Sequence, residues 1–166
     1  MATLILRDTY LALEKEIKTM AKKRTEISAQ IREAASHGDL KENYEYKAAK
    51  EAMNLLVSKK ESLDSHVPFQ FIEFGQIKTD EVGFGNKVTI HEEGKDEAED
   101  YYILGPIEFE LDFYPMIVTY HSPFAERIIG KKVNEDFTLE IEGNETKFTI
   151  IAIEKITIDD KISTES

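Results

Sequence analysis

Two carboxylates three residues apart, Asp39 and Glu42, follow Ser36-His37-Gly38 and precede Asn43, Tyr44, Glu45 and Tyr46. Acids at that spacing on a starting helix share one face, close enough to touch a single cation. Hard oxygen donors of this kind suit Mg²⁺, which is commonly held by one or two carboxylates together with substrate phosphates. A plainer role fits the same residues. Asp as N-cap with Glu three positions on approximates a capping box, and acids at a helix start are favoured by its dipole. The positive helix end disfavours a cation, so the pair cannot hold Mg²⁺ tightly alone, yet it can complete the shell of an ion gripped elsewhere. Cap and donated half-site both stand at this point.

The elements that must position this pair are two long helices. Tyr10, Leu13, Ile17, Met20, Ile27, Ile31 and Ala34 repeat at spacings of three and four, with Arg24 in the one missing step. No Pro or Gly interrupts them, and such a heptad seam predicts a coiled-coil helix from about Asp8 to Ser36. Beyond Gly38, Tyr46, Ala49, Met53, Leu56, Leu63 and Val67 continue the same spacing, with Lys60 as the polar step. Ser36-His37-Gly38-Asp39 is a short connection, so the helices fold back antiparallel and the acids stand at the far turn. A rod of roughly 43 Å, at 1.5 Å per residue, is either a reaching device or a seam buried in a bundle or dimer.

Near Val67-Pro68 the pattern changes to Gly, Thr, Ile, Val, Phe and Tyr. Val88/Ile90 and Phe137/Leu139/Ile141 alternate with period two, and Glu142-Gly143-Asn144-Glu145 separates the latter from Phe148–Ile156 as a β-hairpin. Ser122-Pro123 through Ile129-Gly130 reads as one short helix, with Ser as N-cap, Pro at the first position and Gly after the end. The expected fold class is α+β: a helical hairpin over 1–67, with its tip at about 36–43, then an antiparallel-sheet domain over 68–166 with one short helix. Residues 159–166 form a polar tail.

The 166 residues are 41% hydrophobic and 33% charged, which fits one domain or two small ones and excludes a large multi-domain enzyme. Absence of Cys excludes disulfides, Cys-ligated zinc, iron–sulfur clusters and thiol catalysis, and fits a reducing cytoplasm. Leu4 to Leu6 is too short for a signal peptide core and no run reaches membrane-spanning length. Net charge is −12, unevenly spread: residues 1–66 hold 12 Lys/Arg against 11 Asp/Glu, the remainder 9 against 22. An acidic C-terminal region repels nucleic acid, so its partner is expected to be protein.

Gly38-Asp39-Leu40-Lys41-Glu42-Asn43, then Glu45-Tyr46 and Ala48-Ala49-Lys50, at the turn of a helical hairpin, closely resemble the GreA/GreB transcript cleavage factors of bacterial RNA polymerase. Ser122-Pro123 followed by Ile129-Gly130-Lys131-Lys132 resembles a segment of that family's C-terminal domain, so the likeness runs along nearly the whole chain. The resemblance implies an FKBP-like C-terminal domain docked at the rim of the polymerase secondary channel, through Ser122 and Pro123, while the hairpin enters the channel. Asp39 and Glu42 would then help hold the polymerase's second, weakly bound Mg²⁺ and position the attacking water, so that backtracked RNA is cut near its 3′ end. No cofactor is bound tightly; Mg²⁺ is shared with RNA polymerase, which remains the enzyme. Partners are the polymerase and the nascent RNA 3′ end, with no membrane, and a cytoplasmic monomer is implied.

Asn43, Tyr44 and Tyr46 support the tip, and Tyr44 stands where the family usually has a small residue. Glu45 is read as surface charge, His37 as a loop residue, and Lys41 as either a phosphate contact or solvated. Lys15, Lys18 and Lys22 share one helix side, with Lys23 and Lys50 able to extend it, as a path for extruded RNA or as ordinary coiled-coil flanking charge. The size of that patch leans towards the GreA side of the family. Glu126 and Arg127 depart from the family order. Three other outputs compete with cleavage: an anti-cleavage relative that plugs the channel, an FKBP-like isomerase or chaperone with a coiled-coil arm, and a structural dimer. The chain has no Trp for an isomerase floor.

Overall fold

The computed structural model describes residues 2–37 and 40–156, with the backbone alone described for 37 and 40–43. Strand β1 (Thr3–Leu6) runs straight into α1 (Arg7–His37), and α2 (Leu40–Asp64) returns along it. At 31 residues α1 is about 46 Å long. Leu13, Met20, Ile27 and Ala34 on α1 and Ala49 and Leu63 on α2 are buried, which is the expected seam. Val67 is the exception. It lies beyond the end of α2 and is 59% exposed, because the chain leaves the helix at Asp64 to enter β2 (Phe69–Ile72).

The seam is thick at the base and thin towards the turn. Ile5, Leu13, Met20, Leu63 and Ile107 form a cluster there, with Tyr10, Ile17, Leu56, Phe69 and Phe71 packed against it. Beyond Met20 the buried seam residues are Ile27, Ala34 and Ala49, two of them alanines. The base of the rod is thus built into the rest of the molecule while its distal half is slender.

The second region holds β3 (Asn86–Glu92), β4 (Glu99–Leu104), α3 (Pro106–Leu111), β5 (Ile117–Thr119), α4 (Pro123–Ile128), β6 (Asp136–Ile141) and β7 (Asn144–Lys155). These strands make one five-stranded sheet in the order β5-β4-β3-β7-β6, antiparallel except for the β4–β5 pair. Two long helices followed by an antiparallel-rich sheet are the α+β architecture expected. Val88, Ile90, Ile103, Ile128 and Ile150 are essentially sealed from water at its centre. Each such side chain contributes about 1.5–3 kcal/mol of burial.

Local sequence explains the connections. Ile141 pairs with Asn144, so the last hairpin turns on Glu142 and Gly143 alone, both at positive φ (51° and 82°), the geometry of a type I′ turn. Ser122 Oγ accepts from the Ala125 amide at 3.2 Å, Pro123 is the first residue of α4, and Gly130 follows the helix at φ 91°. Ser122→Ala is expected to lower stability by about 1 kcal/mol, read as a lower urea midpoint at unchanged slope.

Two features differ from the sequence reading. There is a second short helix, α3, and a second, two-stranded parallel sheet in which β1 pairs with β2. The first residues therefore belong structurally to the junction with the second region as well as to the rod. No helix among the described residues is long and apolar enough to cross a membrane.

Candidate functional site

Asp39 lies outside the described residues, as do the side chains of Glu42 and Asn43. The backbone places Glu42 in the first turn of α2, which begins at Leu40 immediately after Asp39. Around the turn, Tyr44 is 75% exposed and Glu45 is exposed, whereas Tyr46 is half-buried with the Lys50 ammonium 5.3 Å from its ring centroid. Ala34, Ala48, Ala49 and Ala52, with Gln30 and Glu33, line an open groove of about 600 Å³ beside Tyr44. Small side chains keep this end of the rod narrow. Among the described residues no group of three or more His, Cys, Asp or Glu could hold a metal ion. The donor chemistry at the turn fits a share in an oxygen-coordinated Mg²⁺.

Lys15, Lys18, Lys22 and Lys23 are exposed, and none has an ion-pair partner among the described residues. At 100° per residue Lys15, Lys18 and Lys22 fall opposite the buried seam, on the outward face of α1. Glu26 and Glu33 continue that face, so it turns from basic to acidic towards the turn. Lys50 stands on the other helix, over Tyr46. Ser122 and Pro123 are a cap and a first turn at the surface of the sheet domain. Glu126 is exposed, and Arg127 donates to the Thr138 carbonyl, covering part of the β6 edge.

The sequence reading missed Glu108. It is fully buried. Its Oε1 accepts from the Gly105 amide at 3.0 Å and its Oε2 from the Leu6 amide at 3.1 Å, so one carboxylate ties the start of α3 to the start of the rod. The buried Thr9 hydroxyl adjoins this carboxylate without reaching hydrogen-bonding geometry. Gly105-Pro106 with an acid at the third helical position carries the same grammar as Ser122-Pro123, and would have revealed α3.

Desolvation pushes the Glu108 carboxyl above its ordinary value, against the opposing pull of its amide donors. The folded protein therefore holds that proton more tightly than the unfolded chain. Relative to Glu108→Gln, which does not titrate, wild-type stability should fall as pH rises above about 4.5 and level off past the raised folded value. Asp136 has the opposite sign. Hydrogen bonds from Thr149 and Lys147 hold it below its ordinary value, so its stabilisation is present above pH 3.8 and lost as pH falls through the lower folded value. Urea unfolding of each Gln or Asn variant against wild type across pH 3–8 checks both slopes.

A long helical hairpin joined to a small antiparallel-rich sheet domain is the frame in which these residues stand. The family description "Transcription elongation factor, N-terminal" matches residues 3–67, and "Transcription elongation factor, GreA/GreB, C-term" matches 77–155. Transcription elongation factor GreA of Streptococcus pneumoniae serotype 19F (strain G54) is 34% identical over 145 residues, 86% of this chain and 89% of that one. GreA of a Nitratiruptor species is 29% identical, over 87% and 88%. The chain belongs to the GreA/GreB family of transcription elongation factors. Among solved structures, Gfh1 of Thermus thermophilus, a GreA factor homolog, is similar at TM-score 0.42 and 17% identity, over 93% of this chain and 99% of that one.

Proposed function

We propose that this factor inserts its rod into the secondary channel of bacterial RNA polymerase and stimulates the polymerase's own cleavage of backtracked RNA. The observation that supports it most is a rod of about 46 Å, thinned by alanines towards the turn that carries Asp39 and Glu42, in a chain of this family. Polymerase remains the catalyst and this chain supplies ligands. Bound Mg²⁺ would supply activation of the attacking water and stabilisation of charge in the in-line displacement. Asp39 and Glu42 would each lend it an oxygen. Two carboxylates at a helix start bind too weakly to carry the ion with them, so their effect is confined to the assembled site.

The remaining residues position the reaction. The outward face of Lys15, Lys18 and Lys22 attracts the phosphates of the extruded RNA, and Lys50 adds charge nearer the turn. Exposed Tyr44 offers a ring for a base to stack on, while Asn43 and Tyr46 support the turn. The sheet domain, acidic overall, docks on protein at the channel rim through the surface around Ser122 and Pro123. The factor acts as a cytoplasmic monomer.

The test uses a stalled, backtracked elongation complex with and without this protein. Release of short RNA fragments carrying the original 3′ end, followed by resumed elongation, is the expected result. Slower nucleotide addition without RNA shortening contradicts it and identifies an inhibitor. Failure to bind core polymerase in a pulldown removes the reading altogether.

A further inference from the structure

We infer that strand β1, held on its second edge by the side chains of Glu108 and Tyr120, is a lock that fixes the angle of the rod on the sheet domain. The inference rests on the delivery role proposed above and makes Glu108 and Tyr120 positioning residues for the tip.

A strand has two hydrogen-bonding edges. One edge of β1 pairs in parallel register with β2, from Thr3 opposite Phe69 to Leu6 opposite Ile72. The alternate amides, facing the other way, find no strand there. The Leu4 amide instead donates to the Tyr120 hydroxyl at 2.8 Å, and the Leu6 amide to Glu108 Oε2 at 3.1 Å. Two side chains of the sheet domain thus substitute for a neighbouring strand. Tyr120 stands at the end of β5, with its ring edge-on to Phe84, and Glu108 on α3. Gly105 makes room for the strand: a Cβ there would lie 2.6 Å from the Leu4 carbonyl oxygen and 3.0 Å from Glu108 Oε1.

Strand β1 passes into α1 without an intervening loop, Leu6 being followed by Arg7, the first helical residue. Whatever orients the strand therefore aims the helix. The returning helix is held by the same element, since Ser62 Oγ donates to Glu110 on α3 and His66 Nε2 lies 3.4 Å from Glu110 Oε2. Leverage makes this matter. An angular error of 10° at the base displaces the end of a 46 Å rod by roughly 8 Å, whereas ligation of Mg²⁺ needs oxygens at about 2.1 Å. A tip on a loose base spends most of its time out of range, and ordering it afresh at each encounter costs entropy that a rigid base avoids.

The chain has no Cys, so paired spin labels at Ala29→Cys on the rod and Glu97→Cys on the sheet domain, both exposed positions, are unique. Distances between them are measured in the full-length protein carrying Glu108→Gln, Tyr120→Phe or both. Tyr120→Phe removes one oxygen and keeps the ring, so a folded single variant is available. The wild type is expected to give one narrow distribution and the double variant one at least twofold broader. In parallel, the maximal RNA cleavage rate at saturating factor falls at least fivefold while the half-saturating concentration stays within twofold, because the docking surface is untouched. A distribution that stays narrow in the folded variants, or a broad one with an undiminished maximal rate, overturns the lock. Asp39→Asn in the same labelled background separates the two claims: it should keep the narrow distance and lose cleavage. Cleavage that survives Asp39→Asn defeats the reading of the tip and leaves the distances to decide the lock.

Discussion

Asp39→Asn and Glu42→Gln are each expected to lower factor-stimulated RNA cleavage by about 100-fold, equivalent to about 2.7 kcal/mol of transition-state stabilisation, while the protein stays folded and bound to polymerase. The choice of substitutions makes the result diagnostic. Asn caps a helix as well as Asp does, so a purely structural role for residue 39 predicts no loss of stability and no loss of cleavage. A ligand role predicts loss of the negative oxygen and with it the ion's last coordination positions. Thermal unfolding, which should move little, and competition between variant and wild type for polymerase separate chemistry from folding and docking. Cleavage at the wild-type level in both variants would show that the acids only cap the helix.

The second large effect is on stability. Glu108→Ala leaves the Leu6 and Gly105 amides without their acceptor in a site closed to water. An orphaned buried donor costs about 1–3 kcal/mol, so two cost about 2–6 kcal/mol, a large share of the roughly 5–15 kcal/mol that holds a typical domain together. Glu108→Gln keeps one acceptor oxygen and should fall between Ala and wild type. Urea unfolding of the three proteins at pH 7 gives the order directly. Equal midpoints for Ala and wild type would mean that water or a neighbouring carbonyl has taken over the amides, and would remove the basis of the lock as well.

Much of the fold is legible in the sequence wherever periodicity speaks. The heptad seam from Tyr10 to Ala34 marks α1 to within a residue or so at each end, because a 31-residue helix repeats its signal many times. The hairpin around Glu142-Gly143 and the capped helix at Ser122-Pro123 follow from turn and cap chemistry, which is local and survives any tertiary context. Val67 shows the limit of periodicity: it keeps the heptad spacing, yet the chain has already left the helix. Strand β1 has four residues and α3 six, too few for a period, and both are held by partners far away in the chain. Glu108 is the extreme case. Its place three residues after Gly105 belongs to a local helix-start pattern, but its second tie, to the Leu6 amide 102 positions away, leaves no trace in the sequence around it.

The candidate site divides in the same manner. Asp39 and Glu42 stand out by type, spacing and place at the turn, and they fall inside the family match over residues 3–67. Lys15, Lys18 and Lys22 share the outward surface that their spacing implies, whereas Lys50 stands on the second helix, against Tyr46. Helical spacing relates residues on one helix and is silent about which side of a second helix faces them.

The most direct test of a donated half-site is the Mg²⁺ dependence of RNA cleavage by a backtracked polymerase complex, titrated without factor, with wild type, and with Asp39→Asn or Glu42→Gln. Extra carboxylate ligands should lower the Mg²⁺ concentration for half-maximal cleavage, by about 10-fold if they contribute about 1.4 kcal/mol to holding the ion, and either substitution should return the curve to that of polymerase alone. A wild-type factor that raises the rate while leaving the Mg²⁺ midpoint where polymerase alone has it would contradict the account.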